Sequence, residues 1–167
     1  IAVQKIVRVR PDAHARFDAV ERTYYYYITT EKNPFRVEHY YRIPFDVDFG
    51  RMNEAADLLV RKGDFASFAK TNSDVKTTIC DVRRAVWVDL GDNAWRFEIT
   101  ADRFLRNMVR AVVGTLLDVG RGRMQPSDME NVLRNRNRCA AGESVFGGAL
   151  FLHEVKYPAN VFDYELP

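Results

Sequence analysis

Between Asp102 and Gly120, apolar residues recur at helical spacing with arginines interleaved among them, and this run limits the chain's folding options more than any other segment. At about 100° per residue, Phe104, Leu105, Met108, Val109, Val112, Val113 and Leu116 share one half of the wheel. Arg103, Arg106, Asn107, Arg110 and Gly114 share the other. The apolar half must pack inward, so the spacing predicts a core helix with a row of arginines along its second face. That face either meets solvent or grips an anion. Gly114, one turn beyond Arg110, removes side-chain bulk and admits a close approach by a backbone or a ligand.

A chain of 167 residues with 47% apolar composition has enough core for one domain without a metal or disulfide. The net charge is only +2, but it is unevenly spread. The window Arg103 to Arg138 holds eight arginines against Asp118, Asp128 and Glu130, a pattern shared by solvated surfaces and nucleic-acid footprints. Cys80 and Cys139 form no CxxC pair and lie near no histidine cluster, so neither a zinc site nor a disulfide framework is indicated, and a reduced cytoplasmic setting is expected. No 18-residue apolar run is present, so no membrane association is expected. The opening Ile1-Ala2-Val3-Gln4-Lys5-Ile6-Val7-Arg8-Val9 is strand-like and lacks an initiator methionine, as expected of a sequence that begins inside a larger protein.

Local patterns predict strands over residues 2–9, Thr23 to Thr30 and Leu150 to Val155, and a hairpin from Ala85–Leu90 through Gly91-Asp92-Asn93 to Trp95–Ile99. Helices are expected over Arg51 to Lys62, closed by Gly63, and from Ser127, where Ser127 and Glu130 have capping-box spacing. The expected class is α+β, with helices packed on one face of an antiparallel-dominated, mixed sheet in a single domain, 1–167.

Few residues carry recognisable chemistry on their own. Tyr24 to Tyr27 alternate across a strand, so one pair faces the core and the other can reach a pocket edge or stack on a base. His14 stands alone in a polar lead-in, and His39 and His153 have no partner pattern. Phe65 and Phe68 are expected to anchor a loop with Lys70 pointing outward. There is no phosphate-binding glycine loop, no Ser-His-Asp pattern, no HExxH and no RNP-type aromatic motif.

In order along the chain stand His14-Ala15-Arg16-Phe17, Arg22-Thr23-Tyr24-Tyr25-Tyr26, Asp64-Phe65-Ala66-Ser67-Phe68, Asn107-Met108-Val109-Arg110-Ala111-Val112-Val113-Gly114 and Val155-Lys156-Tyr157-Pro158. This series resembles the TruA family of tRNA pseudouridine synthases, and specifically the C-terminal domain of its pseudouridine synthase fold. The resemblance implies isomerisation of uridine to pseudouridine in the tRNA anticodon stem-loop, at positions 38–40, with no cofactor and no metal. It implies a flipped target base, and homodimers. By the same resemblance, Arg110 pairs with the catalytic carboxylate, Tyr24 stacks on the target base and assists proton transfer, and Leu150 packs beside that base. The family's nucleophilic aspartate sits in a GRTDxGVHA-like motif that these residues do not contain. Asp12, Asp46, Asp64 and Asp74 stand in no such context, so the missing N-terminal half of the polypeptide is the expected partner and the 167 residues alone are expected to be inactive. Charge placement adds His14, Arg16, Lys70, Arg103 and Arg106 as phosphate contacts, with Asn107 beside them as a further substrate-binding candidate. The competing expectation is a non-catalytic RNA-binding or dimerisation domain that keeps the fold.

Overall fold

The computed structural model describes residues 2–71 and 76–162. The order of elements is β1 (Glu21–Thr29), β2 (Tyr41–Arg42), α1 (Phe49–Asp57), β3 (Lys62–Asp64), β4 (Ile79–Gly91), β5 (Ala94–Ala101), α2 (Met108–Gly120), α3 (Asp128–Asn135) and β6 (Leu150–Lys156). The strands form one mixed sheet, β2-β1-β5-β4-β3, with β6 also paired to β1. Only the short β1–β2 pairing is parallel.

Strand alternation decides what lies on each face. Tyr24 pairs with Ile99, and Tyr26 with Phe97 and Leu150, so these side chains share one face. Tyr26, Ile28, Phe97 and Ile99 are fully buried there, in one cluster with Met52 of α1 and Met108, Val112 and Leu116 of α2. The helices therefore cover this face alone. Tyr25 and Tyr27 point to the other, where Tyr25 stacks on His153 at 3.9 Å and Arg96 lies 4.3 Å from the Tyr25 ring centre.

The hairpin forms as its pattern predicts, with Gly91, Asp92 and Asn93 all at positive φ in the turn. Phe65 and Phe68 are fully buried, and each such anchor contributes about 1.5–3 kcal/mol. Other boundaries differ from expectation, each for an identifiable reason. The arginine-bearing helix begins at Met108 rather than Asp102. Asp102 is held as an extension of β5, exchanging a backbone bond with Asp81 at 3.2 Å and accepting from the Asp81 amide through its carboxylate at 2.8 Å. Asn107 then adopts a left-handed conformation, φ 69°, immediately before the helix. Arg103 and Arg106 thus lie in a loop, and α2 is buried on nearly all sides instead of presenting an arginine row.

Residues 2–9 make no strand. Val9 bridges to Phe162 in an isolated pairing that no ladder of the described sheet extends. α1 starts earlier than expected because Asp48 caps it, accepting from the Arg51 amide at 3.1 Å, and Gly63 lies within β3 opposite Cys80 rather than closing a helix. The Ser127–Glu130 capping box does not form. Asp128 instead accepts from the Gln125 amide at 2.8 Å, and Glu130 is drawn into an ion pair with Arg61. Among the described residues no helix is long and apolar enough to cross a membrane.

On the outer face, Glu98 is 7% exposed and accepts from Arg84 Nε at 2.8 Å and Arg96 Nε at 3.0 Å. Burial alone would raise its carboxyl, but the hydrogen bonds from Arg84 and Arg96 outweigh this and hold it below the ordinary 4.5. A carboxylate lowered in the folded state contributes stability above its unfolded value, and that stability is lost as pH falls through the folded one. Thermal melts from pH 7 down to pH 3 should therefore show wild type losing an increment that Glu98→Gln lacks throughout. At pH 7 we expect Glu98→Gln to be less stable by about 1–3 kcal/mol, the two melting curves converging in acid. Parallel curves would contradict this.

Candidate active site

Arg110 stands in the first turn of α2, half-buried. Its Nε donates to the Val145 carbonyl at 2.6 Å, while the Val145 amide donates to the Arg110 carbonyl at 3.3 Å. The next carbonyl, that of Phe146, accepts from the Tyr26 hydroxyl at 2.7 Å. Gly147 follows, and a Cβ there would lie 3.6 Å from Arg110 Cζ and Nη1. Residues 145–147 therefore wrap closely around one edge of the guanidinium. Its terminal nitrogens have no hydrogen-bond or carboxylate partner among the described residues, which leaves the forked end free for one. Burial pushes the Tyr26 phenol far above its ordinary range and nearby Arg110 only partly offsets that, so Tyr26 is a neutral donor.

The segment that orients Arg110 crosses α2 at Gly114. An ideal Cβ on Gly114 would lie 1.7 Å from the Glu143 carbonyl oxygen, so the close approach foreseen at this glycine is made by the protein's own backbone. Asn107 Nδ2 donates to Ser144 Oγ at 2.5 Å, Arg138 Nη2 reaches the same oxygen at 3.0 Å, and the Gly142 amide donates to Thr115 Oγ1 at 2.9 Å. The amide of Asn107 is thus committed to holding this loop.

Tyr24 shares the Arg110 side of the sheet and is partly exposed, its ring 5.1 Å from Phe104 in an edge-on contact. Leu150, half-buried, opens β6 opposite Tyr26. The loops bring further candidates together. The Lys70 amide donates to the Arg106 carbonyl at 2.9 Å, so these two exposed residues are neighbours. Arg103, Arg106 and Lys70 form no ion pair among the described residues. His14 Nδ1 accepts from the amides of Arg16 at 3.1 Å and Phe17 at 3.3 Å, which closes a tight turn, and the guanidinium of the exposed Arg16 lies 5.7 Å from the Phe17 ring centre. Asp64 is committed elsewhere, to the Ala66 amide at 3.0 Å and Arg136 at 3.1 Å. Asp12 sits by Arg10 at 3.2 Å, and Asp74 lies outside the described residues. Two surface recesses, one beside Tyr25, Tyr40 and His153 and one beside Lys32, Arg36 and Arg42, include neither Arg110 nor Tyr24. Arg110, Tyr24 and Leu150, on one side of the sheet, form the wall of the candidate site.

Sequence reasoning missed what fixes this wall. Tyr26 and Arg110 bind the Phe146 and Val145 carbonyls, and Ser144 Oγ accepts from Asn107 and Arg138, contacts between distant residues that leave no spacing pattern.

The family model of tRNA pseudouridine synthase matches residues 55–158. Helices on one face of a mixed sheet agree with this match, and together they make the chain an α+β domain of the pseudouridine synthase class. The tRNA pseudouridine synthase A of Bacteroides fragilis is 54% identical over 163 residues, covering 98% of this chain and 65% of the relative. The same enzyme of Parabacteroides distasonis is 55% identical over 165 residues, covering 99% and 65%, and that of Bacillus subtilis is 35% identical over 159 residues, covering 94% and 64%. The chain belongs to the tRNA pseudouridine synthase family, and it spans about 65% of the length of the first two of these relatives.

Proposed function

We propose that these residues form the C-terminal domain of an enzyme that isomerises uridine to pseudouridine in the tRNA anticodon stem-loop. The observation that carries this reading is the guanidinium of Arg110, held by Val145 with its forked end unpaired among the described residues. A planar fork of this kind receives a carboxylate through two charge-assisted bonds, keeping it ionised and oriented. In this reading the carboxylate comes from sequence beyond the 167 residues, Tyr24 stacks on the flipped base and Leu150 packs beside it. Enzyme and substrate meet in the cytoplasm. The 167 residues alone should form no pseudouridine in a tRNA transcript, whereas the full-length gene product should. Turnover by the 167 residues would overturn the assignment of roles.

Arg103, Arg106, Lys70, Arg16 and His14 contact phosphates in this reading, with Asn107 supporting them through its bond to Ser144. Neutralising each phosphate releases counterions, which steepens the salt dependence by about 0.7–0.9 per contact. Arg103→Ala with Arg106→Ala should flatten the slope of log affinity against log salt by about 1.5 and weaken tRNA binding. Titration at several salt concentrations measures both, and an unchanged slope would contradict the surface assignment.

The reading also includes a homodimer. Supporting it, the outer sheet face carries Phe151, 37% exposed, beside Tyr25, and Glu98 pairs with both Arg84 and Arg96 there, which lowers the positive charge of the patch and suits it to a second copy better than to an anion. Sedimentation of the full-length protein at micromolar concentration should show a dimer that Phe151→Asp dissociates.

A further inference from the structure

The guanidinium of Arg22 binds three backbone carbonyls from two segments, those of Arg16 and Ala19 before β1 and that of Asp102 after β5. Nη1 donates to Ala19 at 2.7 Å and to Asp102 at 2.6 Å, and Nη2 donates to Arg16. No carboxylate pairs with Arg22 among the described residues. Three converging carbonyl oxygens present only partial negative charge and repel one another, so bringing them together requires a forked cation with several fixed donors.

The segments joined in this way are those that carry the outward basic side chains. Arg16 closes the His14–Phe17 turn, and Asp102 opens the loop containing Arg103 and Arg106. The Asp102 end is rigid, since Asp102 is bonded to Asp81 in two places. Apart from Arg22, the turn is held by side chains and by a local bond from the Asp18 amide to the His14 carbonyl at 3.0 Å. The Tyr157 hydroxyl donates to the Ala15 carbonyl at 2.7 Å, and Asp18, itself paired with Arg10 at 2.8 Å, accepts from the His14 amide.

We propose that Arg22 is a positioning residue that fixes the His14–Phe17 turn against the Arg103–Arg106 loop, so that both basic segments meet an RNA backbone as one preformed unit. This rests on the RNA-binding reading above. Two cationic segments held at a set separation do not lose freedom again on binding, so the second phosphate contact follows the first at high effective concentration. The charge of Arg22 is not what matters here; its geometry is. Lysine keeps the charge but supplies a point cation that cannot span the three carbonyls.

The test is a double-mutant cycle on tRNA affinity in the full-length protein, with Arg22→Lys and Arg16→Ala, each measured over a range of salt and alongside a thermal melt. In the wild-type background, Arg16→Ala should weaken binding about fivefold and lower the salt slope by roughly 0.7–0.9. Arg22→Lys should do much the same, and Arg16→Ala added to Arg22→Lys should cost less than twofold more. A role confined to fold stability would lower the melting temperature and leave the slope and the coupling untouched. Additive losses, or a wild-type slope in Arg22→Lys, would overturn the proposal. If Arg22→Lys fails to fold, Tyr157→Phe loosens the same turn and should show the same sub-additivity with Arg16→Ala, full additivity again being fatal. A wild-type protein whose tRNA binding is absent or indifferent to salt would sink the RNA reading itself, and the proposal with it. That result is distinct from additivity in a protein that binds.

Discussion

Gly114→Ala is expected to be among the most damaging single-methyl changes this domain can receive. The added carbon would sit 1.7 Å from the Glu143 carbonyl oxygen and 2.9 Å from its carbon, and both are backbone atoms that no rotamer change can move away. Gly142 packs against the same place from the other side, 2.9 Å from the Gly114 carbonyl carbon by the same measure, so the loop has no slack there. Relief requires lifting residues 142–145 off α2 by about 1 Å or more. That movement breaks the Gly142–Thr115 bond and the Ser144 contacts and pulls the Val145 carbonyl away from Arg110. Overpacking of this severity costs about 3 kcal/mol or more, equivalent to a fall in melting temperature of roughly 6–12 °C at this size. Catalysis should fall further than stability, because the displaced loop is the one that aims the guanidinium. A melting temperature and turnover close to wild type would show that the helix and loop do not meet as described.

The second large effect is expected at Arg110. Alanine there removes a preorganised cation from the candidate reacting centre, and loss of one such electrostatic donor lowers turnover by about 10²–10³. Binding should change far less, within about threefold, because the contacts with the RNA backbone are spread over Arg16, Lys70, Arg103 and Arg106. Lysine should rescue poorly. It retains the charge but loses both the Nε bond to Val145 and the planar fork. Equal losses in affinity and turnover would make Arg110 one more phosphate contact.

How much of this was legible in the sequence depends on whether the cause was local. The burial of Met108, Val112 and Leu116, the turn at Gly91-Asp92-Asn93 and the inward Met129, Val132 and Leu133 follow from residue spacing. Element ends decided by distant partners do not. Asp102 reads as the start of a helix, yet Asp81 and Arg22 hold it extended, and residues 2–9 read as a strand for which the described sheet provides no ladder. The same division runs through the site. Gly114 could be flagged because a missing side chain on a buried helix implies a close neighbour. The Val145 carbonyl that orients Arg110, 35 residues further on, has no side-chain signature at all.

In the proposed reaction Arg110 acts at the reacting nucleotide rather than on the RNA backbone. Single-turnover pseudouridine formation, with full-length protein saturating over an anticodon stem-loop substrate, removes binding and product release from the observed rate. Wild type and Arg110→Ala compared in this way should differ by at least about 10² in the rate of the first turnover, with substrate fully bound in both. Equal rates at saturation would contradict a role for Arg110 at the reacting nucleotide.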